Sequence, residues 1–146
     1  SLYDKITKIG KKMILKNISL LEKGKINRKK QDSSKFEEYW EKRTPDDGQI
    51  NWKQSAKKIH TLIRASTHPY PGAYTYFKKK KLVLWKSVLI DSSIKKPGEI
   101  MKISTNELEI GTSRGIIKLI SGSFNNCEIK DFKTFFSEKN LGDIIG

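Results

Sequence analysis

The sequence predicts a mixed α+β fold: an N-terminal helical arm and linker, one further helix, then a small five-stranded antiparallel barrel with a short C-terminal helix. Three observations predict it. Apolar residues recur at helical spacing in two early stretches, Leu2 to about Leu21 and Trp52 to Ile63. From Ala73 onward the period changes to that of short strands separated by turn residues. The length, 146 residues, suits one compact domain plus an arm, with a core of modest size.

In the first stretch Leu2, Ile6, Ile9, Met13 and Leu20 fall near one face, and Ile14, Ile18 and Leu21 widen the stripe. Lysines take the other face, and Gly24 is placed to stop the helix. Such a stripe needs a partner: a domain beyond this chain, or a second copy in a homodimer. Residues 25–50 read as a linker, with Arg28, Lys29 and Lys30 followed by Gln31, Asp32, Ser33 and Ser34. Phe36, Tyr39 and Trp40 imply that it packs along a surface, and Arg43 to Gly48 carry strong turn chemistry. Asn51 is the expected N-cap of the second helix, with Trp52, Ala56, Ile59 and Ile63 on its buried face. The helix ends before Pro69, because residues preceding proline avoid helical geometry.

Five strands follow: Ala73 to Phe77, Leu82 to Ile90, Glu99 to Ile103, Leu108 to Gly111 and Ile116 to Ile120. Their even spacing and tight turns suggest an OB-like barrel, the oligonucleotide-binding type. Asp131 opens a last short helix carrying Phe132, Phe135 and Phe136. The domain boundaries expected are 1–24 for the arm, 25–50 for the linker and 51–146 for the barrel domain.

The formal net charge of +14, mostly lysine, favours contact with phosphates of nucleic acid or nucleotides. Lysines spread along a whole chain are equally what solvated faces use. The lone Cys127 excludes an intramolecular disulfide, argues against a cysteine zinc site and fits a reducing, cytoplasmic setting. No apolar run approaches the ~20 residues that cross a bilayer, so no membrane partner is expected. A start at Ser without a signal-peptide pattern reads as a cut inside a longer protein.

No catalytic, cofactor-binding or metal site is expected in this chain. Its two histidines, His60 and His68, lack a nucleophile in paired context, and His68 reads as a connector residue bonded to backbone. Asp46 and Asp47 are adjacent in a turn, so they point apart and suit capping or pairing with Arg43. Ser121-Gly122-Ser123 does not make a nucleophile elbow. Binding is better supported. Lys78, Lys79, Lys80 and Lys81 form a positive tip between two strands that carry Tyr74, Tyr76 and Trp85, a pattern that suits single-stranded nucleic acid. The alternative is a solvated hairpin with core aromatics.

Two runs carry a family resemblance. Arg43-Thr44-Pro45-Asp46-Asp47-Gly48-Gln49-Ile50-Asn51-Trp52 and Ile63-Arg64-Ala65-Ser66-Thr67-His68-Pro69-Tyr70-Pro71-Gly72-Ala73-Tyr74 resemble the linker signature of folate-dependent formyltransferases and the segment after it. Ser1 to Lys5 and Leu21 to Gly24 are similar to the last helix of that family's catalytic domain. The resemblance covers Ser1 to about Trp85; beyond it only the strand pattern and Pro97-Gly98-Glu99-Ile100 agree. It implies an upstream Rossmann-like domain that binds 10-formyltetrahydrofolate and holds the family's essential Asn, His and Asp, whose motifs are not in this chain. It also implies an acceptor: the amine of a nucleotide-linked amino sugar, or methionyl initiator tRNA. His-Pro-Tyr-Pro-Gly-Ala at 68–73 favours the sugar branch, where the tRNA branch has Asn-Pro-Trp-Pro; the basic charge pulls toward tRNA. Under this resemblance Arg43, Asp46, Asp47 and Arg64 are substrate or interdomain residues, with Arg64 paired to Asp46 or Asp47. A purely structural domain that orients subunits is the third reading.

Overall fold

The computed structural model describes residues 2–30, 32, 34, 41–90, 93 and 95–146. Phe36, Tyr39 and Trp40 lie outside the described residues. The chain divides into two compact units, Ser1–Glu41 and Lys42–Gly146.

The first unit holds α1 (Leu2–Glu22), none of whose residues is buried. It ends as its sequence dictates. Gly24 adopts a left-handed φ of 64°, and the amides of Gly24 and Lys25 turn back to the carbonyls of Leu21 and Leu20. That pair of bonds satisfies carbonyls which the helix end would otherwise leave bare.

The second unit is built on α2 (Ala56–Ser66) and six strands: β1 (Ala73–Phe77), β2 (Lys80–Ile90), β3 (Ile100–Ile103), β4 (Leu108–Gly111), β5 (Ile116–Phe124) and β6 (Cys127–Glu128). The sheet order is β1-β2-β5-β4-β3, every pairing is antiparallel, and β6 adds to β5. The fold is mixed α+β, as the sequence predicts. Two details differ. Helix α2 starts at Ser55 as N-cap, because Asn51 spends its side chain and carbonyl on a turn, accepting from Lys53 N at 3.0 Å and Gln54 N at 3.0 Å. The final helix is a pair of 3-10 turns, Phe132–Thr134 and Glu138–Asn140; Asp131 does open the first, accepting from Lys133 N at 2.8 Å.

One core runs through this unit. Ala56, Ile59 and Ile63 of α2 meet Leu82 and Leu84 of β2 and Ile117 and Leu119 of β5. Trp52 fills the end of that layer, and its indole N–H donates to the buried Thr75 hydroxyl at 3.1 Å. Thr75→Val keeps the shape but strands the indole donor, so a loss of about 1–3 kcal/mol is expected in urea unfolding.

The last residues join the two edges of the sheet. Ile100 N donates to Asp143 O and Ile145 N to Gly98 O, both at 2.9 Å, beside β3, while Gly146 N reaches Tyr76 O of β1 at 3.0 Å. Ile145 is buried in the core. Asp143 is held by the Asn140 amide at 3.0 Å and by Lys78 at 3.2 Å, and these hold its carboxyl below the usual aspartate value, the Asn140 bond most. A depressed folded pKa stabilises fully above the unfolded value, 3.8, and that contribution is lost as pH falls through the folded value beneath it. Asp143→Asn is therefore expected to flatten the acid limb of stability below that pH, read from thermal melts across an acid series.

Candidate functional site

The site grows from a turn and a connector. In the turn, Pro45–Gly48 forms one 3-10 turn with Pro45 at its first position, where a missing N–H costs nothing. The Thr44 N–H donates to Asp47 Oδ2 at 2.6 Å, one half of a capping box. Asp46 faces elsewhere: its Oδ1 accepts from the Tyr74 hydroxyl at 3.4 Å. Burial of the Tyr74 phenol, and then the Asp46 charge, push its pKa above the ordinary tyrosine value. Ile50 N donates to Tyr74 O at 2.8 Å, so the chain after the turn lies parallel beside the start of β1, bridging Gln49 to Tyr74.

The connector runs from Ser66 to Gly72. Gly72 N donates back to Ser66 O at 2.8 Å, and the Thr67 hydroxyl donates to Trp85 O at 3.0 Å. His68 precedes a cis proline and stacks on Trp85, ring centroids 4.0 Å apart. The connector is thus pinned to β2 by Thr67 and by ring stacking, not by the expected backbone bond from His68.

Two glycines let turn and connector meet. A Cβ on Gly48 would stand 2.7 Å from Gly72 O. Gly72 has φ +89°, and a Cβ there would stand 2.4 Å from a Val83 methyl carbon and 2.6 Å from the Trp85 ring. The two runs that carry the resemblance therefore come together in space, and between them lies an open cleft of about 600 Å³ lined by Lys42–Pro45, Asp47, Gly48, Ala65, Ser66 and Tyr70–Gly72.

The structure distributes the sequence-predicted residues as follows. Arg43 and Asp47 line this cleft, and Asp46 is turned from it toward Tyr74. Arg64 lines a different cleft with His60, Trp85 and Lys86. The expected pairing of Arg64 with Asp46 or Asp47 is not formed, nor is a pairing of Arg43 with either. Turn geometry and Tyr74 already occupy the two carboxylates, and Arg64 projects from another face of α2 than Ala65 and Ser66. At the hairpin tip, Lys78 and Lys79 are the two turn residues, both at left-handed φ (48° and 64°). Lys78 pairs with Asp143 and also lies 5.0 Å over the Phe77 ring, while Lys81 lies 4.1 Å over the Tyr74 ring. Lys79 and Lys80 are exposed. Tyr70, exposed at the mouth of the cleft, was not among the predicted site residues; its place inside the Pro-Tyr-Pro run is the signal that marks it.

Chemically the cleft offers two cations, the Asp47 carboxylate, the Thr44 and Ser66 hydroxyls, a tyrosine face and backbone groups. The Thr44 hydroxyl donates to Asp47 Oδ2 at 3.3 Å, a bond that belongs to the turn's cap. Among the described residues there is no group of three or more His, Cys, Asp or Glu able to hold a metal ion, and no helix long and apolar enough to cross a membrane.

Comparison with known proteins agrees with this geometry. Residues 42–140 match the family model "Formyl transferase, C-terminal domain". The chain is 37% identical over 129 residues to the bifunctional polymyxin resistance protein ArnA of Wigglesworthia glossinidia brevipalpis, covering 88% of this chain and 19% of that protein. It is 31% identical over 143 residues to the methionyl-tRNA formyltransferase of Thermodesulfovibrio yellowstonii, covering 98% of this chain and 45% of that enzyme. The chain thus spans less than half the length of either relative. A crystal structure of a HypX variant from Aquifex aeolicus shares the fold at a TM-score of 0.55 and 21% identity, over 75% of this chain and 19% of that one. The start of the family match coincides with the start of the second compact unit at Lys42, and the match takes in both the turn and the connector. On these grounds the chain belongs to the formyl transferase C-terminal domain family.

Proposed function

We propose that this domain serves a longer cytoplasmic enzyme that moves a formyl group from 10-formyltetrahydrofolate to the amine of a nucleotide-linked amino sugar. In this reading residues 1–24 end an upstream Rossmann-like domain, residues 25–50 link it, and residues 51–146 form an OB-like barrel. The apolar stripe of α1, with Leu2, Ile6 and Met13 all exposed, belongs against that upstream domain. Arg43 helps shape the acceptor pocket of the intact enzyme.

One observation favours the sugar acceptor over tRNA. The tip that would grip a nucleic-acid backbone is half engaged within the domain, through Lys78 with Asp143 and Lys81 with Tyr74. Of its three stacking residues Tyr74 is buried and Trp85 carries His68 on its face, which leaves only Tyr76 exposed. We assign the folate donor to the upstream domain, together with the chemistry. Among the described residues no buried side-chain nitrogen or oxygen lacks a partner, so no orphaned polar atom marks a place for a pteridine here.

Arg43 tests the role given to the cleft. In the full-length protein Arg43→Ala is expected to lower kcat/KM about tenfold or more while this domain melts unchanged, because an interdomain or acceptor contact is lost without loss of core. Unchanged turnover would remove Arg43 from the site. Lys79→Gln with Lys80→Gln is expected to leave sugar formylation unaltered; a selective loss of tRNA formylation would move the assignment to the tRNA branch.

A further inference from the structure

A second cleft, separate from the one between turn and connector, opens where α2 lies over β2 and β5. It has a volume of about 560 Å³, and His60, Arg64, Trp85, Lys86, Ser87 and Ser121 contribute to its walls. No carboxylate lines it. Among the described residues neither Arg64 nor Lys86 enters an ion pair. Two uncompensated cations, an imidazole and two serine hydroxyls thus converge on one hollow.

The backbone is bent to make this convergence. In a regular strand consecutive side chains point to opposite faces, so Trp85, Lys86 and Ser87 could not all reach one cleft. Here the β2–β5 register steps from Leu84↔Gly122 to Lys86↔Ser121 and then to Ser87↔Leu119. Trp85 on one strand and Ile120 on the other are left without register partners, two compensating bulges that re-aim the side chains. Ser87 turns inward beneath α2, 2.9 Å from His60 Nδ1, while Lys86 stays exposed opposite Ser121.

We propose that this cleft is an anion site for the phosphate or diphosphate group of a small phosphorylated molecule of the nucleoside-diphosphate class. Arg64 supplies a planar two-donor fork and Lys86 a mobile point charge, the pair of groups that phosphates take. The Ser121 hydroxyl adds a neutral donor, and Ser87, bonded to His60 Nδ1, ties the imidazole to the cleft wall. The site is a pocket of limited volume, not a stripe of charge, so it suits a compact dianion better than a polynucleotide backbone. The His60 imidazole lies below its ordinary pKa, from burial first and then from the Arg64 charge. The charged groups lining the cleft with it are Arg64 from its own helix and Lys86 from β2, and β5 offers only Ser121. A bound dianion offsets both cations, so it raises the His60 pKa.

The test is an NMR titration of the 146-residue chain at fixed ionic strength, with sodium pyrophosphate and with uridine diphosphate, following the His60 ring and the Trp85 indole N–H. The expected result is a saturable shift of both signals, weakened about tenfold by Arg64→Gln and by Lys86→Gln and unaltered by Lys139→Gln, an exposed lysine outside the cleft. Both replaced side chains are exposed, so the variants keep the fold. No saturable shift up to about 10 mM pyrophosphate would overturn the site. So would equal weakening by Lys139→Gln, or a response to single-stranded oligonucleotide alone. The titration reads binding by this chain, and its outcome does not depend on which acceptor the longer enzyme uses.

Discussion

Replacing Gly72 by alanine is expected to destabilise the domain by about 3 kcal/mol or more, one of the two largest single-residue effects in this fold. Two costs add. A φ of +89° is open to glycine and strained for any L side chain. The new methyl would also stand 2.4 Å from Val83 Cγ1 and 2.6 Å from the Trp85 ring, closer than nonbonded carbons approach. Trp85 cannot simply swing away, because His68 stacks on its ring. The connector must shift, and the cleft shared with the Asp46-Asp47-Gly48 turn opens with it. Urea unfolding of the chain measures the loss, and a companion variant separates its parts. Trp85→Leu in the Gly72→Ala background is expected to recover part of the steric cost and none of the backbone cost. A loss below about 1 kcal/mol would mean that the connector is not held in this conformation.

Phe136→Ala is expected to cost about 3–5 kcal/mol. Its ring is fully buried and lies 5.2 Å from Phe77 and 5.5 Å from Phe124, centroid to centroid. Phe77 ends β1 and Phe124 ends β5, so this cluster ties the hairpin tip, the far end of the central strand and the C-terminal turns into one body. Truncation leaves a cavity that three elements cannot collapse around independently. Phe136→Leu should recover more than half of the loss, since it refills most of the volume. An alanine variant as stable as the parent would show that the C-terminal turns are not part of the folded core.

Much of this architecture was legible in the residues, and the exceptions have physical causes. Gly24 ended α1 where its lack of a Cβ allowed. The change of period at Ala73 located β1, and alternation with turn residues located β2 through β4. Strand β5 runs four residues beyond its expected end, to Phe124, and pairs with a short β6 across Asn125-Asn126, both at left-handed φ. Two asparagines flanked by extended residues are a hairpin signal. Ser121-Gly122-Ser123, small residues without apolar alternation, hide it. The edge-joining tail at 142–146 carries no such signal, because its bonds are backbone bonds to Gly98, Ile100 and Tyr76, far away in sequence.

The candidate site was half legible. Residue types marked the Asp46-Asp47-Gly48 turn and the Pro69-to-Gly72 connector, and the family resemblance marked both as significant. That Gly48 and Gly72 touch could not be read, since spacing along a chain does not fix contact between loops. The Arg64 pairing failed for a similar reason. On a helix, one residue's shift turns a side chain by about 100°, enough to move Arg64 away from the cleft that Ala65 and Ser66 line.

The acceptor decides which branch of the family the intact enzyme serves. The direct measurement is formyl transfer by the full-length protein from 10-formyltetrahydrofolate, with a nucleotide-linked amino sugar and methionyl-tRNA offered side by side. The kcat/KM for the amino sugar is expected to exceed that for methionyl-tRNA by at least about a hundredfold, a difference of some 3 kcal/mol in transition-state binding. Efficient formylation of methionyl-tRNA with none of the amino sugar would contradict it.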